Sequence, residues 1–274
     1  MAVPIKNAER PIDPKKNMFA SGAALRCRAT AEERRIEDTV MVIAAVLAGG
    51  TGTRMGSALP KQFIEIAGVP IIIRSIQKLI GNKNVDRCIV AVGEDYVSYT
   101  RELIAAHIRT DKPVDVIVGG SFRGDTLVKV LAFMEENGIL DSVILTHDAV
   151  RPFIDDRIID DNILAARGYG ACNTCVPAVD TVLLSKGGRY IDFVPPRSSV
   201  FHAQTPQSFD AKRLYELIRA TPPEDFRQMT DGCSVFIYHG EKVFIVKGSE
   251  NNIKITFPED IIRAEAILKG GNNP

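Results

Sequence analysis

The chain of 274 residues lacks an excess of either charge, since 34 Lys and Arg balance 34 Asp and Glu. No net field draws it to nucleic acid or to an acidic membrane surface, so any anion site must be local. It also lacks any run of roughly 18 apolar residues, which excludes a membrane-spanning helix. Near the start there is no apolar core of the kind a secretory signal needs, and Glu32, Glu33, Glu37 and Asp38 argue against a transit peptide. Cysteine is scarce, odd in number and scattered: Cys27, Cys88, Cys172, Cys175 and Cys233. That usage suits a reducing cytoplasm rather than a disulfide framework. Cys172-Asn-Thr-Cys175 has no second pair to complete a zinc site, and it precedes a strand rather than opening a helix as a redox pair would, so core cysteines are expected. Internal repeats and low-complexity tracts are absent from the folded part.

What is present is ample apolar material, 45% of the residues, enough for a sizeable buried core. Residues 1–40, with Pro4, Pro11 and Pro14, are expected to be a disordered or regulatory extension, and Met41 to open the folded domain, 41–274. Strands are expected at Val42–Leu47, Arg87–Val92, Val114–Val118 and Ser142–Thr146, with helices at Pro70–Ile80, Asp95–Ile108 and from Thr126 along the stripe Leu127, Val130, Leu131 and Met134. This alternation predicts an α/β fold: a doubly wound, mostly parallel, Rossmann-like sheet with ligands at the carboxyl ends of its strands. The second half differs. Cys175–Val179, Thr181–Leu184 and Tyr190–Phe193 read as short strands, the last two joined by a Lys186–Arg189 turn, forming a β arm over about 178–197. Such an arm cannot bury its own faces, which predicts packing on a second copy and a homodimer. A polar segment from Pro195 to Gln207, helices at Asp210–Arg219, near Glu224 and at Pro258–Leu268, and a strand at Lys242–Val246 complete the chain.

The most informative stretch is Val46–Gln62, VLAGGTGTRMGSALPKQ. Gly49, Gly50 and Gly52 follow a strand and free the backbone to turn its N–H groups toward an anion, and Arg54 and Lys61 add two cations. A triphosphate carries roughly four negative charges and needs such fixed donors. The dinucleotide fingerprint fails because Met55 stands at the third glycine, which disfavours an NAD-linked dehydrogenase. The Walker pattern fails because no Gly-Lys-Ser/Thr follows. A nucleotide sensor without catalysis has no need of both Arg54 and Lys61.

Gly119–Thr126 supplies a second glycine turn at a helix start, suited to a base edge or a phosphate, or to plain capping by Ser121 or Asp125. In THDAVRP, Asp148 ends a strand, where a carboxylate holds Mg²⁺ or a ribose hydroxyl. His147 reads as structural, and Arg151 either meets ligand or pairs with Asp148. Arg197 and Lys254 are isolated cations, each a candidate ligand group or a surface charge. Gln204–Phe209 reads as a proline-bounded structural turn, and Thr230-Asp231-Gly232 as a helix cap, the latter close to a second substrate in one reading.

LAGGTGTRMG with PKQ, GGSFRGDT, THDAVRP, DTV, AQTPQSF, MTDGC and NIKIT, in this order from Met41 to Leu268, resemble the cytidylyltransferases that make CDP-methylerythritol and CDP-ribitol. The methylerythritol enzymes usually read PAAG, HDAARP and TDEA where this chain has LAGG, HDAVRP and TDGC; all three departures resemble the ribitol 5-phosphate branch. The resemblance implies that Leu47, Ala48, Gly49 and Gly50 contact CTP through backbone and that Arg54 and Lys61 stabilise charge on the triphosphate. It implies that Gly120, Ser121, Phe122, Arg123, Gly124, Asp125 and Thr126 select cytosine, although Ser121 replaces an Asp of some relatives. Asp148 and Ala149 then lie at the ribose and at Mg²⁺ or another divalent cation. Arg197 and Lys254 grip the polyol phosphate, with Thr181 and Thr256 as further candidates. The implied reaction is CMP transfer from CTP to ribitol 5-phosphate, with methylerythritol 4-phosphate as the alternative acceptor and a sugar-1-phosphate nucleotidylyltransferase as a more distant one.

Overall fold

The computed structural model describes residues 40–49 and 59–270; the expectations for residues 1–39 and for Gly50, Gly52 and Arg54 lie outside the described residues. Among these the strands are β1 Val42–Ala48, β2 Glu65–Ile66, β3 Val69–Pro70, β4 Arg87–Val92, β5 Val114–Val118, β6 Val143–Asp148, β7 Ala171–Pro177, β8 Phe201–Asp210 and β9 Phe244–Lys247. The α-helices are α1 Ile71–Gly81, α2 Val97–His107, α3 Arg123–Glu136, α4 Asp156–Tyr169, α5 Ala211–Ala220, α6 Pro223–Phe226, α7 Gly232–Tyr238 and α8 Pro258–Lys269. No helix among the described residues is long and apolar enough to cross a membrane.

Seven strands form one sheet in the order β5-β4-β1-β6-β8-β7-β9, while β2 and β3 make a small separate hairpin. β4 and β6 both run parallel to β1, and β8 is antiparallel to both β6 and β7. The expected mostly parallel, doubly wound sheet is therefore the observed one. β1 is buried along its whole length because it is covered on both faces. Its side chains still alternate: Val42, Ala44 and Val46 pack with Ile72, Ile76 and Leu79 of α1 and Ile158 and Ile159 of α4. Ile43, Ala45 and Leu47 pack with Leu127, Val130 and Leu131 of α3, Leu214 and Leu217 of α5 and Phe236 of α7. Burial of each such aliphatic side chain is worth about 1.5–3 kcal/mol. A satellite cluster of Ile66, Ile71, Val150, Phe153, Ile253, Ile255 and Ala264 seats α8 and the segment before it against the end of β6.

Three expectations are corrected. The region after Pro152 contains a helix, α4, that the sequence reading leaves out; Asp155 caps it by accepting from Ile158 N at 2.7 Å, and Gly170 ends it with φ 77°. Gln204–Phe209 is no turn but the middle of β8. Pro206 is tolerated there because the β7–β8 pairing shifts register beside it, between Asn173 and Cys175, and the β6–β8 pairing ends at Gln207. The paired strands of the arm reduce to one antiparallel bridge, Leu184 with Phe193. A two-stranded ribbon has no third surface to pack on within one chain, and Val179, Tyr190 and Ile191 stand 70%, 83% and 60% exposed. Smaller differences concern element ends: β6 runs on to Asp148 because its pairing with β1 continues there, and β7 begins at Ala171. Cys88, Cys172, Cys175 and Cys233 are free and buried, as expected of core cysteines, and burial raises each thiol above its ordinary value.

Candidate active site

Three strand ends converge at the carboxyl edge of the sheet. β1 ends at Ala48, whose carbonyl accepts from Gln62 Nε2 at 2.9 Å, so the tripeptide carrying Lys61 folds back onto the end of β1. Lys61 Nζ donates to the Ile255 carbonyl at 3.2 Å. Leu47 lies in register with Asp148, and its carbonyl accepts from Ala149 N at 3.2 Å. Gly49 is where the first loop meets the second: a Cβ there would stand 2.9 Å from Thr126 Oγ1 and 3.2 Å from the Gly120 carbonyl. Only glycine lets these two loops touch without displacement.

The second loop is shaped by its own side chains. Gly120 N donates to Thr126 Oγ1 at 3.0 Å, and Asp125 Oδ2 accepts from Ser121 N at 2.8 Å and from Ser121 Oγ at 3.2 Å. Asp125 and Ser121 thus engage each other and neither caps α3, whose N-cap position is Phe122. Gly124 lies under the rings of Phe122 and Phe226.

Arg123 leaves this loop toward Asp148, with Nε 3.5 Å from Oδ1. Asp148 Oδ2 is 2.8 Å from Lys254 Nζ and 3.7 Å from Arg151 Nε. Burial pushes the Asp148 carboxyl up, but Arg123, Lys254 and Arg151 outweigh it and hold the group well below the usual carboxylate range. It is an anion at neutral pH, and three cations around one anion leave the cluster net positive.

The turn after β6 is braced from inside. His147 Nε2 donates to the Arg151 carbonyl at 3.0 Å, and its Nδ1 accepts from Thr205 Oγ1 at 3.1 Å. Thr205 Oγ1 in turn accepts from Asp148 N at 3.1 Å. Burial lowers the imidazole to about 4, against the Arg151 carbonyl and Asp148, which raise it, so His147 is a neutral brace. The segment bearing Lys254 is clamped to this turn: Arg151 Nη1 donates to the Asn252 carbonyl at 2.7 Å, Asn252 Nδ2 to the Thr205 carbonyl at 2.9 Å, and Ile255 N to the Val150 carbonyl at 2.9 Å. Thr256 N donates to Asp260 Oδ2 at 2.8 Å in the first turn of α8.

The structure therefore gathers Leu47, Ala48, Gly49, Lys61, the 120–126 loop, Asp148, Ala149 and Lys254 at one edge. It resolves Arg151 in favour of the pair with Asp148. Arg197 and Thr181 are not gathered: both are exposed on the arm, and Arg197 Nη1 donates to the Val179 carbonyl at 3.2 Å. Sequence reasoning gives no site role to Thr205, Gln207 or Asn252. The available signal was the polar run of Gln204-Thr205-Pro206-Gln207, which is buried because each of its three polar side chains has a partner.

The comparisons agree with this architecture. The family model of 2-C-methyl-D-erythritol 4-phosphate cytidylyltransferase, IspD, matches residues 41–270. The 4-diphosphocytidyl-2C-methyl-D-erythritol synthase of Anaerococcus prevotii is 28% identical, with a TM-score of 0.71 over 84% of this chain and 99% of that one. The Francisella tularensis 2-C-methyl-D-erythritol 4-phosphate cytidylyltransferase shares the fold at 24% identity and a TM-score of 0.68, over 82% of this chain and 99% of that one. The bifunctional IspDF of Campylobacter jejuni shares it at 22% identity and 0.66, over 81% of this chain and 54% of that one. The glycine loops, the Asp148 cluster and the match across nearly all of the described residues lead to one assignment: the chain belongs to the IspD family and is a cytidylyltransferase.

Proposed function

We propose that the protein transfers CMP from CTP to D-ribitol 5-phosphate, giving CDP-ribitol and pyrophosphate. The observation that carries the chemistry is the net positive cluster of Arg123, Arg151 and Lys254 on Asp148, set at the strand ends beside a glycine turn. A polyphosphate is the ligand such a cluster suits, and nucleotidyl transfer needs positioning and charge neutralisation more than covalent chemistry. The acceptor phosphate oxygen attacks the α-phosphorus of CTP, the bond to the β-phosphate oxygen breaks, and pyrophosphate leaves with the electron pair. Leu47, Ala48, Gly49 and Gly50 present backbone to the nucleotide, and the 120–126 loop takes the base. Arg54 and Lys61 offset the charge of the leaving pyrophosphate.

Mg²⁺ suits Asp148. The described residues hold no group of three His, Cys, Asp or Glu side chains able to bind a metal by themselves. A hard cation that draws most of its oxygens from phosphates and water needs one or two carboxylates, and Asp148 is ionised at every working pH. When bound with the triphosphate, Mg²⁺ would lower the electrostatic cost of gathering charge at the α-phosphorus.

Lys254 grips the acceptor phosphate, with Thr256 beside it. Arg197 and Thr181 serve the same phosphate from the arm of a second copy, which accounts for their exposure here and makes the active form a homodimer. The acceptor is assigned from the wording of three motifs, LAGG, HDAVRP and TDGC. A second reading, methylerythritol 4-phosphate, is favoured by the family model and the similar structures, which carry that name. Pyrophosphate release from CTP, with each acceptor offered separately, tests both. Faster release with ribitol 5-phosphate is expected; turnover with methylerythritol 4-phosphate alone selects the second reading, and no release with either sinks both.

A further inference from the structure

Two motifs have no part in the reaction so far: the polar run of β8 and the Thr230-Asp231-Gly232 cap. They meet in the structure. Gln207, buried at 2% exposure, points its Nε2 at Asp231 Oδ2, 2.7 Å away, and its Oε1 accepts from Arg123 Nη2 at 3.2 Å. We infer that Gln207 is a positioning residue that orients the Arg123 guanidinium for the nucleotide, and that Asp231 fixes which end of the Gln207 amide faces Arg123.

A carboxylate only accepts, so it takes the NH₂ end of the amide and leaves the carbonyl oxygen facing the guanidinium. The reverse orientation would set donor against donor at Arg123 and acceptor against acceptor at Asp231. Asp231 is itself immobilised, since its Oδ1 accepts from Ser234 N at 2.9 Å and Ser234 Oγ at 2.8 Å at the start of α7. α7 can sit this close because residue 232 is glycine: a Cβ there would stand 2.8 Å from Phe209 Cζ on β8. The backbone of Gln207 is fixed from the other side, its carbonyl accepting from Thr146 Oγ1 at 3.0 Å. Arg123 is thus held at two nitrogens, by Asp148 at Nε and by Gln207 at Nη2, in a planar fork whose value lies in fixed direction. A chain of four side chains, Asp148, Arg123, Gln207 and Asp231, joins the nucleotide loop to a helix more than a hundred residues further along the sequence.

The inference rests on the proposed place of Arg123 at the nucleotide, and the test separates the two. The apparent KM for CTP and for the acceptor phosphate, with the melting temperature, is measured for Arg123→Ala, Gln207→Leu and the double variant. Expected are rises in the CTP KM of about ten- to a hundredfold for each single variant, the worth of a charge-assisted hydrogen bond, with the acceptor KM within about twofold and no further rise in the double. An unchanged CTP KM in Arg123→Ala removes the place of Arg123 at the nucleotide and the inference with it. A rise in Arg123→Ala but none in Gln207→Leu, or additive effects in the double, overturns the relay alone. A charge exchange decides the matter should Gln207→Leu fold poorly. Gln207→Glu sets two carboxylates together and should raise the CTP KM; adding Asp231→Asn supplies a donor to that carboxylate, keeps an acceptor for Ser234, and should bring the KM back to within about threefold of the original. Failure of the second change to restore it overturns the inference.

Discussion

Lys254 Nζ lies 2.8 Å from Asp148 Oδ2, the shortest of three cation contacts on that carboxylate. The pair joins the end of β6 to a segment before α8, and the contact is fixed by the backbone clamps from Arg151, Val150 and Thr205 rather than by the ion pair alone.

Asp148→Asn removes the anion from beneath three cations. Pyrophosphate release should fall by at least about a hundredfold, and stability at pH 7 by about 1–3 kcal/mol, as for a partly buried charge left unpaired. The folded value of this carboxyl is below its unfolded value of about 3.9, so its contribution is present above that pH and fades as the pH falls below it. Urea denaturation of both forms should show their stability difference shrinking below about pH 4.

His147 is held neutral, with its folded value lowered to about 4 from 6.5. Between these values the unfolded chain binds a proton that the folded chain refuses, so this group costs stability as the pH falls from 6.5 toward 4. The slope approaches about 1.4 kcal/mol per pH unit. His147→Asn keeps an acceptor for Thr205 without the titration, and its acid-side slope in denaturant midpoints should be correspondingly flatter.

Lys61→Ala should lower turnover by about a hundredfold or more while the melting temperature moves by only a few degrees, because its Nζ reaches a loop carbonyl at the strand ends and fills no core space. Single-turnover pyrophosphate release and a thermal melt report the two quantities; near-normal turnover would remove Lys61 from the mechanism.

Arg197→Ala and Lys254→Ala should each weaken use of the acceptor more than use of CTP. If the arm serves a second copy, mixing the two variants should restore up to about a quarter of full activity, since half the dimers are mixed and each then has one intact site. Tyr190→Asp with Ile191→Asp should yield monomers in sedimentation velocity and abolish turnover. Full activity in those monomers would end the shared-site proposal.

Much of the fold is legible in local pattern. The run Val42–Ala48 is apolar at every position, and the stripes of α1 behind Pro70 and of α3 recur at helical spacing, so burial follows from local pattern. The acid that ends β6 is legible because the fold rule places ligands at strand ends. β8 is not. Gln204, Thr205, Gln207 and Ser208 look like a structural turn until Ser249, His147, Asp231 and Asn162 arrive from elsewhere in the chain to satisfy them.

The sequence by itself determined the parallel β-α-β half and the core role of the four described cysteines through local pattern, and the family through an ordered series of short motifs. The tertiary structure alone decided that β8 enters the sheet antiparallel between β6 and β7, that Arg151 pairs with Asp148, and that Lys254 and Gln207 reach the ends of the same cluster. A buried polar group is stable only when a partner meets it, and that partner is chosen by packing across the fold rather than by spacing along the chain.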